Sequence, residues 1–201
     1  MATAIGAFYA DLGAPLAPVI FATDAMGAGE EDAGGFGIVA KDVGPGMARA
    51  CCELGRRPGY SVTKLSGEFA GLKSPHDQIF RRIPFACLPR ELLEDPGGSW
   101  KRMDWGRWRY ADHITLGECR TVVRLLRGIA QCPSAHRTKV LSLQDNGATA
   151  GASAKGRSPA PALNFLLRQK TASAVAAEVS SSLPWVQTKV MPADDLSRLL
   201  C

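Results

Sequence analysis

Asp24, Glu118, Asp145 and the adjacent pair Asp194 and Asp195 stand out by position. Each falls at the end of an apolar run or on the first turn of an amphipathic one. They are far apart in sequence, but a compact sheet can bring strand ends and helix starts to one place. Converging carboxylates without histidine or cysteine partners suit hard, oxygen-preferring cations such as Mg²⁺. Two such ions about 4 Å apart can clamp a phosphodiester, one activating water and the other stabilising the leaving oxygen. The plainer reading is solvated caps and turns, because a chain with 19 acidic residues will offer some at element ends.

Other chemistries find less support. His76, His113 and His136 lie in separate regions, and a two-metal site needs no histidine as base. His113 stands just before a helix, where it can cap or bond backbone. Ser142, Ser158 and Ser197 have no base partner in view and no nucleophile-elbow word. The glycine-rich stretch Gly27 to Gly37 lacks the Lys-Ser/Thr ending of a phosphate loop, and Glu30, Glu31 and Asp32 would repel phosphate. Cys51, Cys52, Cys87, Cys119, Cys132 and Cys201 contain no C-x-x-C pair. Zinc ligation therefore has no support, and the expectation is reduced thiols in an intracellular protein. Met1 to Phe21 has no basic opening and is interrupted by Asp11, Pro15 and Pro18, so a secretory signal is not expected. Nor does any apolar run approach the roughly 18 residues needed to cross a membrane.

The acids must be positioned by regular elements. Val19–Thr23 and Phe36–Ala40 read as strands of a hairpin, with Asp24 at the end of the first. Residues 41–104 carry repeated Gly and Pro punctuation and no sustained period. They read as a loop-rich insertion (44–104) with short helical pieces around Arg90 to Glu94. Arg107 to Tyr110 reads as a third strand. His113 to Gln131 is the clearest helix, with Leu116, Cys119, Val122, Val123, Leu126 and Ile129 recurring at three and four. Thr115 and Glu118 fit a capping box at its start. Lys139 to Gln144 reads as a strand ending at Asp145, Asn146 to Ala154 as a short helix, and Ala160 to Ser180 as a longer one. Trp185 to Val190 is the last expected strand, and Ala193 to Leu200 the last helix. Strands followed by alternating strands and helices predict an α/β sheet of mixed direction in a single domain, 1–201, with its core at about 19–43 and 105–200.

Four local words narrow the reading. Phe21-Ala22-Thr23-Asp24-Ala25 resembles the first-strand "TDAS" word of the ribonuclease H family, with Met26 where that word has serine. His113-Ile114-Thr115-Leu116-Gly117-Glu118 is similar to the "HIN-x-x-E" opening of the first helix in retroelement members. Leu143-Gln144-Asp145-Asn146 resembles the "SDN" word ending the fourth strand. Pro192-Ala193-Asp194-Asp195-Leu196-Ser197-Arg198 resembles the "NPAD-x-x-SR" word closing the domain in tyrosine-recombinase-type and related retrotransposons, with Met191 in place of the initial asparagine. The words occur in the family's order. The chain thus resembles the reverse transcriptase-associated ribonuclease H domain of a retrotransposon.

That resemblance implies a ribonuclease H-like fold: a five-stranded mixed sheet, its first three strands antiparallel, with helices on both faces. It implies an endonuclease that hydrolyses the RNA strand of RNA–DNA hybrids with two Mg²⁺ ions, or Mn²⁺ in their place. Asp24, Glu118, Asp145 and Asp194 would be the catalytic metal ligands, with Asp195 as the alternative to the last. A reverse transcriptase domain is the implied protein partner. The rivals are a catalytically decayed nucleic-acid-binding module and a DNA-acting nuclease on the same sheet.

Charge distribution is in keeping with an anionic partner. The net charge is −4 over residues 1–50, +5 over 101–150 and +3 over 151–201. A soluble basic surface explains the same figures. Lys155, Arg157, Arg168 and Lys170 follow the third carboxylate, with no acid from 151 to 170, and are the expected nucleic-acid contacts. Trp105, Trp108 and Tyr110 alternate with Arg107 and Arg109; in a strand this predicts Trp108 and Tyr110 on one buried face. Arg120, Arg124 and Arg127 read as a solvated helix face.

Overall fold

The computed structural model of the chain describes residues 13–29, 33–56, 92 and 99–199. Five strands form one sheet in the order β3-β2-β1-β4-β5. They are β1 (Leu16–Met26), β2 (Gly35–Asp42), β3 (Lys101–Arg107), β4 (Lys139–Leu143) and β5 (Ser180–Ser182). β1 pairs antiparallel with β2, and β2 antiparallel with β3. β4 runs parallel to β1, and β5 parallel to β4. The helices are α1 (Gly44–Arg56), α2 (Ile114–Ala130), α3 (Gly147–Lys155), α4 (Pro161–Ala176) and α5 (Asp194–Arg198).

Alternation along the strands sends side chains to two cores. On one face Ile20, Ala22, Val39, Leu141 and Leu143 pack with Cys51 of α1, Leu92, and Ala193 and Leu196 beside and within α5. On the other, Phe36, Ile38 and Val140 pack with Val122, Leu125, Leu126 and Ile129 of α2. The outer side of α2 buries Cys119 and Val123 against Leu163, Leu166 and Leu167 of α4. The sheet therefore carries helices on both faces, in the five-stranded mixed arrangement that the resemblance implies.

Several elements depart from the expected ones. Residues 44–56, expected as loop, form α1. Gly44-Pro45-Gly46 opens this helix: Gly44 has φ +70° and donates its N–H to Asp42 Oδ1, and proline is favoured on a first turn because its missing N–H is not needed there. The expected helical pieces at Arg90 to Glu94 lie outside the described residues except for Leu92, which is helical and buried. β3 begins earlier than expected and ends at Arg107, so Trp108 and Tyr110 do not share a strand face. Trp108 packs on Phe36 with ring centroids 4.6 Å apart, while Tyr110 and Trp105 are exposed.

The cap of α2 is His113, whose Nδ1 accepts from the Thr115 N–H; Thr115 is not the cap, and Glu118 is turned to the interior. The last strand is Ser180–Ser182 and not Trp185 to Val190. Three serines have little strand preference of their own, and pairing along β4 overrides it. Pro184 separates them from Trp185, which keeps one bridge to Gln144 before a 3₁₀ turn at Thr188–Val190.

Candidate metal centre

Parallel pairing of β1 with β4 brings two of the acids together. Ala22 is opposite Leu143, and Asp24 and Asp145 stand two residues further along each chain. Glu118 reaches the same place from the second turn of α2. One oxygen from each of Asp24, Glu118 and Asp145 lies within 4.8 Å of the others. Asp24 and Glu118 are each only 3% exposed, and Asp145 is half-buried.

α5 is brought against this cluster by two glycines of β2. A Cβ on Gly37 would lie 2.8 Å from the Ser197 nitrogen and 3.0 Å from the Ala193 oxygen; one on Gly35 would lie 2.5 Å from the Ser197 oxygen. Backbone of α5 therefore sits directly on bare strand. Gly37 is paired with Asp24, so this contact puts Ser197 beside the first carboxylate. Gly117 serves a similar end on α2, where a Cβ would press on Ala25 and the Trp108 indole at 3.4 Å.

Each of the three carboxylates receives one neutral side-chain donor. The Ser197 hydroxyl donates to Asp24 Oδ2 at 2.5 Å, and also lies 2.8 Å from the Asp194 carbonyl oxygen. The Gln144 amide donates to Glu118 Oε2 at 2.6 Å. Thr188 donates to Asp145 from its side chain. The Ala25 N–H adds a bond to Glu118. Among the described residues none of the three forms an ion pair.

The energetic consequence is a frustrated cluster. Burial pushes the Asp24 carboxyl up to about 7, helped by the charges of Asp145 and Asp194 and opposed by Ser197 and Arg198. Burial, then the charges of Asp24 and Asp145, push Glu118 up to about 9, against the bonds from Gln144 and Ala25. Asp145 is raised as well, by burial foremost. Removing carboxylates from water without a counter-charge disfavours the ionised form. A hard divalent cation at the centre would reverse that balance, and an all-oxygen donor set fits one.

Asp194 is next to this trio but outside it. Arg198 holds its Oδ1 from Nε at 3.0 Å and from Nη2 at 2.8 Å. Its charge nevertheless raises both Asp24 and Asp145. Asp195 is exposed. Met191 is buried in the core with Val186 and Leu196, so that position packs instead of orienting an acid.

The four expected nucleic-acid contacts are divided. Arg157 and Arg168 line one surface groove with Asn164 and Thr171, and Lys155 is exposed at the end of α3. Lys170 is half-buried on another side of α4; burial lowers its pKa, with the Cys119 thiol nearby. The arginines of α2 are engaged: Arg120 with Asp112, Arg124 with Asp104, and Arg127 with Gln169. The four described cysteines are unpaired.

The sequence gives no sign of Gln144 or Thr188, and it presents Ser197 only as a nucleophile without a base. Gln144 and Ser197 do lie inside the quoted words, one residue before Asp145 and three after Asp194. Their signal was adjacency to an acid, with no means of telling which way they point.

No protein-family model and no curated relative matches the chain. Among solved structures it is similar to the N-terminal RNase H domain of Rv2228c from Mycobacterium tuberculosis, determined as a fusion with maltose-binding protein. The TM-score is 0.46 and the identity 14%, over 90% of each chain. The fold stated above is defined by strand order and direction, independently of this likeness.

Proposed function

We propose that the chain is an endoribonuclease, of retroelement origin, that uses divalent cations to cut the RNA strand of RNA–DNA hybrids. One observation carries the reading. Three carboxylates remote in sequence are gathered at the ends of two parallel strands, with ligand oxygens within 4.8 Å and no ion pair among them. Burying like charges together costs stability unless a cation occupies the site.

Asp24, Glu118 and Asp145 would hold the cation, with Asp194 completing the set for a second. Bound Mg²⁺ or Mn²⁺ would supply charge stabilisation at the phosphate and a more acidic water. The chain's own groups prepare this place. Ser197 and Thr188 keep Asp24 and Asp145 oriented while leaving their charge intact. Asp145 is the most exposed of the three, so a phosphodiester would approach on its side. Lys155, Arg157 and Arg168 would offer cations for other phosphates of the same strand or its partner. Clustered carboxylates suit several phosphodiester chemistries, so the choice of a hybrid rests on the four sequence words. The same words support a reverse transcriptase domain as neighbour.

The test is cleavage of a labelled RNA–DNA hybrid, with duplex DNA and duplex RNA as controls, beside Asp145→Asn. Mg²⁺-dependent cutting of the RNA strand, lost in the variant with hybrid binding retained, is expected. Equal turnover in the variant refutes the site. Cutting of DNA alone transfers the chain to the DNA-acting class, and binding without cutting to the non-catalytic one.

A further inference from the structure

Gln144 is completely buried, and both ends of its amide are used. Its nitrogen donates to Glu118 Oε2 at 2.6 Å. Its oxygen accepts from the Thr23 hydroxyl at 3.3 Å. Thr23, also completely buried, lies 3.4 Å from the Ser142 hydroxyl. A hydroxyl has one proton. With that of Thr23 given to Gln144, Ser142 must be the donor to Thr23. The bonds therefore run in one direction: Ser142 to Thr23, Thr23 to Gln144, Gln144 to Glu118. Reversing the amide would set its oxygen against Glu118 Oε2, which is repulsive once that carboxyl is ionised to receive a cation.

This chain joins β4, β1 and α2, the elements that supply Asp145, Asp24 and Glu118. Resting on the reading of the three carboxylates as a cation site, we propose that Gln144 is its positioning residue. Together with the Ala25 N–H it fixes the Glu118 carboxylate in the orientation the ion needs, and Thr23 and Ser142 set the direction of its amide. A neutral donor is required for this role. A lysine or arginine there would hold Glu118 equally well but cancel the charge the cation needs. An apolar residue would leave the glutamate free to turn from its neighbours, which their mutual repulsion favours.

The experiment is Mn²⁺ binding to the full chain by calorimetry, with thermal unfolding of the metal-free proteins alongside. Gln144→Met keeps length and volume but removes donor and acceptor. Thr23→Val is close to isosteric and removes only the hydroxyl that aims the amide. Outer partners of metal ligands typically account for about 10–100-fold in affinity. Gln144→Met is expected to weaken Mn²⁺ by at least about 10-fold, and Thr23→Val by a smaller factor in the same direction. A space-filling role predicts the opposite split, a change in melting temperature with unchanged affinity. Affinities within twofold of the parent in both variants overturn the proposal while leaving the cation site standing. Absence of Mn²⁺ binding by the parent chain removes the cation site and the proposal together.

Discussion

Replacing Asp24 with asparagine should stabilise the metal-free protein, and by an amount that depends on pH. The folded carboxyl is raised from 3.8 to about 7. One pKa unit corresponds to about 1.4 kcal/mol, so the full difference is about 4 kcal/mol. The sign follows from proton counting. Between these two values the folded state holds a proton that the unfolded chain has lost, so stability falls as pH rises. The loss has barely begun below pH 4 and is complete above about pH 7. Asparagine is close in shape, accepts from Ser197 through its amide oxygen, and has nothing to titrate. Its advantage over aspartate should be about 1 kcal/mol at pH 4.5 and up to about 4 kcal/mol at pH 8. Part of the shift comes from Asp145 and Asp194, so about 3 kcal/mol at pH 8 is a fair expectation. For a chain of this size that raises the melting temperature by roughly 6–12 °C. Scanning calorimetry in a chelator at both pH values measures it. Adding millimolar Mn²⁺ at pH 8 should reverse the order, because only the parent gains the stabilisation of a ligand bound to the native state. A variant no more stable than its parent at pH 8, or equally favoured at both pH values, would falsify the picture of a frustrated acidic cluster.

Three further outcomes follow. Ser197→Ala removes the donor that lowers the Asp24 pKa, so half-saturation with Mn²⁺ should need a higher pH than in the parent, read by calorimetry across pH 6–9; an unmoved profile means that bond has no part in the site. Gly37→Ala places a Cβ 2.8 Å from backbone of α5, and overpacking of this kind costs about 1–3 kcal/mol; denaturant unfolding should show that loss together with weaker Mn²⁺ binding, as α5 is pushed from Asp24. In the double variant Arg157→Ala, Arg168→Ala, the salt dependence of hybrid binding should flatten by about 0.9 per lost phosphate contact, so a slope change near 2 is expected, and an unchanged slope would take the groove out of the interface.

What the sequence made legible was the periodic part. The stripe of α2 gave its limits to within a residue or two, and short apolar runs located β1, β2 and β4. Asp24 and Glu118 lie on these elements and Asp145 two residues past β4, so all three stand among the four acids the sequence offers, with Asp194 the fourth. The rest was hidden for physical reasons. α1 buries small residues, Ala48, Cys51 and Cys52, behind an opening Gly-Pro-Gly that looks like a turn. β5 is a serine run that pairs only because β4 has a free edge. Trp108 leaves the strand to fill a gap beside Phe36, a tertiary demand that no local pattern announces. Glu118 fitted a capping box by spacing, but His113 caps the helix and frees that glutamate for the interior.

The same distinction explains why the site could be named but not built from the sequence. A carboxylate is conspicuous; the group that orients it is not. Here the orienting groups are neutral throughout the trio, Ser197 for Asp24, Gln144 for Glu118 and Thr188 for Asp145. Only Asp194, outside the trio, is held by a cation, Arg198. Had arginine or lysine taken the inner places, the cluster would be stable at neutral pH and indifferent to metal. Neutral donors limit motion without supplying charge, so the cluster stays costly at neutral pH until a cation arrives. Serine, glutamine and threonine are too common for their presence to signal this. The glycines at 35 and 37 are as inconspicuous, yet they let α5 lie on β2 and so bring Ser197 to Asp24. The fitness of this place for a cation therefore depends as much on which residues are uncharged or absent around the acids as on the acids themselves.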